Sequence, residues 1–405
     1  MIMKKNRLSI FIIALMALFA AGFVSCSSDH LGDTIFDTTE YPLDKTSASY
    51  PLDAFLQDNF LKPYNMRFIY RMEDIGSDLQ KNLVPASYEK SVELAVLSKY
   101  LWYDVYKEIA GEEFLKANSP RIIHVIGSPS YNPTQGTETL GTAEGGLKIT
   151  LYKANMINVN DLDFINEYFF KTMHHEFGHI LDQTHERPNS FNVISTGQYN
   201  ADWANANDSL VAGQGFVSPY ASYMAREDWV EVMANYIVKD GRTWENLLNS
   251  ASYDWEEIDI DDTDEYTKLL KPGCNMDTIG YIRQMDNGDW KVDRKCVARN
   301  ADGYAALDED GNIQYLDIDG KNGRDIIEQK LQMVREWLMN NWNISIDELR
   351  AEVQRRQYRT NPDGTFILDS YGRYTNRLTA PSEEDPSRTL MDTLLDWVNK
   401  YKELQ

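Results

Sequence analysis

His174-His175-Glu176-Phe177-Gly178-His179-Ile180-Leu181-Asp182 closes a longer stretch, Asp161 to Asp182. Its apolar residues recur at helical spacing: Phe164, Tyr168, Phe169, Met173, Phe177 and Ile180. One long helix is predicted. His175 and His179, four apart, share a face of it, so both imidazoles reach one cation. Glu176 follows the first of them and stands beside the open coordination position, where it takes a proton from water. The chain has six His, and four of them fall between 174 and 185. The pattern H-E-x-x-H in this setting predicts a bound Zn2+ and hydrolytic chemistry.

A catalytic zinc keeps three protein ligands and one position for water. Two residues compete for the third place. His185 lies ten residues after His175, as in the metzincin pattern H-E-x-x-H-x-x-G-x-x-H, where a Gly breaks the helix; here that position is Asp182. Ser222-Tyr223-Met224-Ala225 fits a Met-turn of that group. Glu227 is the other candidate. It opens a second helical stretch, Glu227 to Val238, and shares a face with Glu231, so that one carboxylate binds metal and the other orients a His ring. Tyr220, seven residues before Glu227, enters the cleft from the preceding loop.

On either side of this stretch, Val92 to Ile109 reads as a helix, Ile122 to Ile126 as a buried strand and Leu147 to Tyr152 as a half-buried strand after Gly145-Gly146. Residues 186–219 read as a long loop, and Glu256 to Glu265 as a solvated acidic loop. Asp302-Gly303, Asp310-Gly311 and Asp319-Gly320 punctuate hairpins. Asp325 to Met339 is amphipathic, and Ser345-Ile346-Asp347-Glu348 is a capping box opening another helix. No internal repeat stands out. Helices and strands in this order predict an α+β fold, with residues 136–152 supplying an edge strand.

Charge narrows the partners. The 405 residues carry a formal charge of −23, and removing residues 1–25, which hold three bases and no acid, leaves about −26. Such a surface repels phosphate backbones and anionic headgroups, so no nucleic-acid partner is expected. Three Cys exclude a disulfide scaffold or a four-Cys zinc module. Lys4-Lys5-Asn6-Arg7 and the uncharged run Leu8 to Val24 form an export signal (1–25). Ser25-Cys26 at its end resembles a lipobox, which makes Cys26 the lipidated residue and the lipid the sole membrane contact. Residues 26–50 are a polar tether, and Cys274 and Cys296 are left as a pair of open status.

His175 to Asp182, with Ser218-Pro219-Tyr220-Ala221 and Glu227-Asp228-Trp229-Val230-Glu231, resembles a group of gluzincin-type proteases that includes the anthrax lethal factor catalytic domain and the Pro-Pro endopeptidases. There a Tyr precedes the ligand Glu by seven positions and a second Glu follows by four. The whole chain also resembles the zinc metallopeptidase lipoproteins of Bacteroidetes found beside starch-utilisation-type outer-membrane importers. The resemblance implies a zincin-like fold, a twisted mixed sheet over the active-site helix with a mostly helical lower half. It implies catalysis within 51–245 and a mixed α/β extension, 246–405. It favours Glu227 over His185, places Glu231 behind a ligand, and gives Tyr220 a hydrogen bond to the oxyanion. It further implies a peptide or protein substrate, an importer as partner and an outer-membrane location. The rival is a non-proteolytic surface lipoprotein that binds peptide or glycan; an intact Glu176 speaks against it.

Overall fold

The computed structural model describes residues 43–72, 83–131, 138–139, 141–144, 148–259, 280–284, 290–298, 300–302, 304–315 and 320–404. Cys26 and Cys274 lie outside them, and so do the export signal and most of the tether. Every described helix and strand belongs to one compact unit, Lys45–Gln405.

The fold is α+β and mostly helical, around one small sheet. Strands β1 (Arg67–Ile69), β2 (Ile122–Val125), β3 (Gly141–Glu144) and β4 (Lys148–Leu151) are ordered β1-β2-β4-β3. The first three in that order run parallel, and β3 pairs antiparallel to β4 at the edge. Register places Phe68, Ile123 and Ile149 side by side, and all three are buried. The expected strands at 122–126 and 147–152 are present.

The helix predicted over 92–109 spans α1 (Tyr88–Ser98), a π-helical turn Lys99–Tyr103 and α2 (Asp104–Ala110). Ser87 caps it by accepting the Lys90 N–H. The stretch from Asp161 repeats this design. Asp161 caps Leu162–Ile165, a π turn follows over Asn166–Phe170, and α3 (Lys171–Thr184) carries the histidines. Residues 186–219 are not all loop: Asn207 accepts from the Ser209 and Leu210 N–H groups and opens a short helix, Asp208–Gly213. Helix α4 (Ala225–Val238) lies against α3, and α5 (Gly241–Ala251) follows, capped by Asp240.

The acidic run is partly strand rather than solvated loop. Trp255–Asp259 (β5) pairs with Trp290–Lys295 (β7), which also pairs with Gly280–Gln284 (β6). The register sets Glu256 opposite Arg294 and Asp259 opposite Lys291. Residues 260–265 lie outside the described residues.

The C-terminal helices are core elements. In α6 (Gly323–Trp342), Ile327, Leu331, Val334 and Leu338 are buried, and in α7 (Ile346–Gln357) so are Leu349 and Val353. Ser345 caps α7 by accepting the Glu348 N–H, which is one half of the expected capping box. Both helices pack on α4. Helix α8 (Leu390–Asn399) opens with a complete capping box between Thr389 and Asp392.

Two hairpin units flank α6 and α7, and they correct the expectation of a chain without internal repeats. In the first, Val297 bridges Tyr315 and Leu307 bridges Ile313; in the second, Tyr358 bridges Asn376 and Leu368 bridges Tyr374. Each pairing recurs 61 positions later. The hydrogen bonds match too: Ala298 N–H to Gln314 O becomes Arg359 N–H to Thr375 O, and Ala306 N–H to Ala298 O becomes Ile367 N–H to Arg359 O. Asp308 accepts from the N–H groups two and four residues on, and Asp369 does the same. Gly311 and Gly372 turn both units at φ of 85° and 73°, where only glycine is unstrained.

Candidate active site

Gly178 lets α3 and α4 approach. A Cβ there would stand 2.9 Å from both Met233 Cε and Val230 Cγ1. Glycine inside a helix costs roughly 1 kcal/mol against alanine, so its presence here marks a close contact. The far face of α3 is aromatic: Phe177 meets the rings of Trp102 and Tyr106 edge-on at 4.9 and 5.0 Å. Seating that face leaves His175 and His179 turned to α4.

There the donors converge. His175 Nε2 and His179 Nε2 lie 3.1 and 3.0 Å from one atom, Glu227 Oε2. The ligand atoms of His175, Glu176 and His179 fall within 4.8 Å of one another, and all these residues are buried. Ligands of a tetrahedral zinc at roughly 2.0–2.1 Å stand about 3.4 Å apart. The two imidazole–carboxylate separations already sit within a few tenths of an ångström of that spacing.

The electrostatics ask for a cation. Three carboxylates, Glu176, Glu227 and Glu231, surround two imidazoles. Burial alone would lower His175, yet its hydrogen bonds to Glu227 and Glu231 raise it to about 10. Burial raises Glu176 above the usual carboxylate range, the two His pulling it down and the other Glu pushing it up. Burial also opposes the charge on Glu227, and the two imidazoles hold it well below that range. Zinc fits this donor set and charge.

Glu231 fixes the ring behind. Its Oε1 accepts from His175 Nδ1 at 2.8 Å, leaving Nε2 to face the donors' meeting point. Its Oε2 accepts from Ser218 Oγ at 2.5 Å and Asn235 Nδ2 at 3.0 Å. Burial opposes its charge, but Lys171 and His175 bring Glu231 down to about 2. Ser218, Asn235 and Lys171 were not foreseen from sequence. Two carried a signal: Lys171 is four before His175, and Asn235 four after Glu231.

Tyr220 sits in a single helical turn, Tyr220–Ser222, just ahead of α4. Its ring lies 5.7 Å from that of His175 and 4.7 Å from that of Trp203. Burial, then the charges of Glu227 and Glu176, push its hydroxyl pKa up. Arg226, also unforeseen, reaches His179 Nδ1 with its Nε at 3.3 Å.

His185 is placed elsewhere. Helix α3 runs unbroken through Asp182 to Thr184, and Asp182 accepts from the Arg187 backbone and guanidinium. The His185 ring stands edge-on to Trp342 at 5.0 Å, and its carbonyl accepts from Trp337 Nε1.

Beneath the site, Lys330 of α6 is fully buried against Asp228 of α4, Nζ to Oδ2 at 2.7 Å. Lys330 also donates to Gly215 O, and Tyr199 donates to Asp228 Oδ2. Asp228 Oδ1 has no partner among the described residues. Burial pushes the Asp228 carboxyl up to about 6 and the Lys330 ammonium down, each partly restored by the other.

Residues 45–347 match a family described as "Putative zinc-binding metallo-peptidase". The chain belongs to that family. This metallopeptidase is also similar to a crystal structure titled as a putative zinc-binding metallo-peptidase from Bacteroides caccae. The two share 34% identity and a TM-score of 0.53, over 76% of this chain and 93% of that one. No curated protein matches the chain. It is a zinc metallopeptidase, with His175, Glu176 and His179 as the zinc-site group.

Proposed function

We propose that the metallopeptidase has a zincin-like catalytic unit and cleaves peptide bonds with zinc held by His175, His179 and Glu227. The meeting of both imidazole Nε2 atoms on Glu227 Oε2 carries this reading. Bound zinc supplies a Lewis acid and a water of lowered pKa. Glu176 takes the water's proton on its carboxylate and passes one to the leaving amine nitrogen. Glu231 holds the His175 Nδ1–H and so keeps the ring aimed. The Tyr220 hydroxyl donates to the oxygen that gains charge on the substrate carbonyl. An extended substrate would add to the sheet at β3, the edge strand.

Catalysis is assigned to 51–245, with 246–405 supporting it through α6. The leader and Cys26 support an exported, lipid-anchored protein at the outer membrane, with an importer as neighbour. Among the described residues no helix is long and apolar enough to cross a membrane.

Zinc analysis separates the two ligand sets. Glu227→Ala should lose most of the bound zinc, while His185→Ala should keep its affinity within about threefold, because the His185 ring packs on Trp342. Zinc loss in the His185 variant alone would reverse the assignment. Tyr220→Phe should keep zinc and lower kcat about 100-fold or more, the usual cost of one oxyanion donor. Unchanged turnover of a peptide library in that variant would remove Tyr220 from the mechanism.

A further inference from the structure

A cavity of about 760 Å³ opens between the second hairpin unit, the start of the helical run that leads to α3, and the start of α5. Asp161 at its rim precedes His175 by fourteen positions, roughly 20 Å along a helix at 1.5 Å per residue. This is therefore a separate place from the zinc site, and its volume lies in the range of small-molecule pockets, roughly 300–1,000 Å³.

The lining carries four aspartates and three arginines with tyrosines and amides, and little aliphatic surface. Among the described residues Asp163, Arg242 and Arg359 make no ion pair, although all three line the same space. Tyr358 is 4% exposed and lines the cavity, yet its hydroxyl has no hydrogen-bond partner among the described residues. Burial, then the charges of Asp240 and Asp163, push this hydroxyl up, and Arg242 acts the other way. Beside it the ring of Tyr374 is held by stacking on Phe366 at 4.6 Å.

The duplicated hairpin supplies an internal control. Both copies share the turn frame, but where the second has Tyr358, Arg359, Arg373 and Tyr374 the first has Val297, Ala298, Asn312 and Ile313. The hairpin folds without those tyrosines and arginines, so folding does not explain them.

We infer that this cavity is a binding site for a neutral saccharide. A polyhydroxylated ligand needs donors and acceptors interleaved, planar carboxylates and guanidiniums that grip paired hydroxyls, and an aromatic face for its C–H surface. A nearly charge-balanced lining suits no simple cation or anion. A peptide strand is less suited: the hairpin's main-chain groups are spent on one another, as in Arg359 N–H to Thr375 O and Thr375 N–H to Ile367 O, leaving no strand edge to add to. The site is independent of the roles given to the zinc ligands.

The test uses the full mature chain with zinc bound. It is screened on an array of neutral α-glucan, xylan, mannan and chitin oligosaccharides beside an array of peptides, and the hits are titrated by calorimetry. At least one saccharide class should bind. Tyr374→Ala and Arg359→Ala should each weaken it about tenfold or more, and Asp163→Asn, a near-isosteric change, should weaken it too. Peptidase kcat/KM should stay unchanged in all three, and the melting temperature in the Arg359 and Asp163 variants; Tyr374→Ala gives up its stacking on Phe366 and should melt somewhat lower. The inference is overturned if no saccharide binds, if binding survives all three variants, or if Tyr374→Ala abolishes capture of peptides instead.

Discussion

Glu176→Gln should keep its zinc and lose nearly all peptidase activity. The carboxamide matches the carboxylate in size, so the buried niche beside the two imidazoles is filled as before. It accepts no proton, and among the described residues the neighbouring carboxylates are taken: Glu227 is engaged by both His rings and Glu231 by His175, Ser218 and Asn235. General acid–base catalysis contributes about 10²–10⁴-fold. Because Glu176 here serves both proton transfers, kcat should fall about a thousandfold or more, with KM changed only a fewfold. Metal analysis and turnover of a peptide library measure both. Turnover within tenfold of the parent would show that another group moves the proton.

Lys330→Met should be the most damaging single change outside the zinc site. Methionine fills the space but leaves Asp228 buried with only the Tyr199 hydroxyl for company. Breaking a buried pair from one side costs about 3–5 kcal/mol. Replacing both partners, Lys330→Met with Asp228→Leu, should recover much of that loss, since no charge then stays stranded. Urea midpoints of the single and double variants decide. A single variant that loses less than about 1 kcal/mol would mean that water reaches the pair. The same pair explains why α6 matters to a site it does not touch: Asp228 is the neighbour of Glu227 on α4.

The catalytic helix was legible because two periodicities coincide there, the apolar rows that seat Phe177 and the four-residue step from His175 to His179. Glu227 and Glu231 were legible for the same reason. Lys330 was not: a lysine on an amphipathic helix reads as solvent-facing, and only packing reveals that it stands with Leu331 and Val334 in the core. Gly178 hid inside the x-x of its motif, where spacing says nothing about a neighbour's side chain. The strand within the acidic run was missed because the strand it pairs with, Trp290–Lys295, comes about thirty-five residues later. The hairpin repeat escaped because the copies agree at six of nineteen positions, Asn300, Asp302, Gly303, Leu307, Asp308 and Gly311 with their counterparts, and five of those are residues that any turn favours.

That repeat bears on how the molecule can change. Helices joined by buried ions tolerate few substitutions, since each altered charge leaves another unmatched. A hairpin closed by its own aspartates and glycines is held from within, and its remaining faces are free to drift. A second copy on the same frame lets one vary while the other keeps its shape. Selection thus has a surface for writing new recognition without disturbing the machinery that cuts.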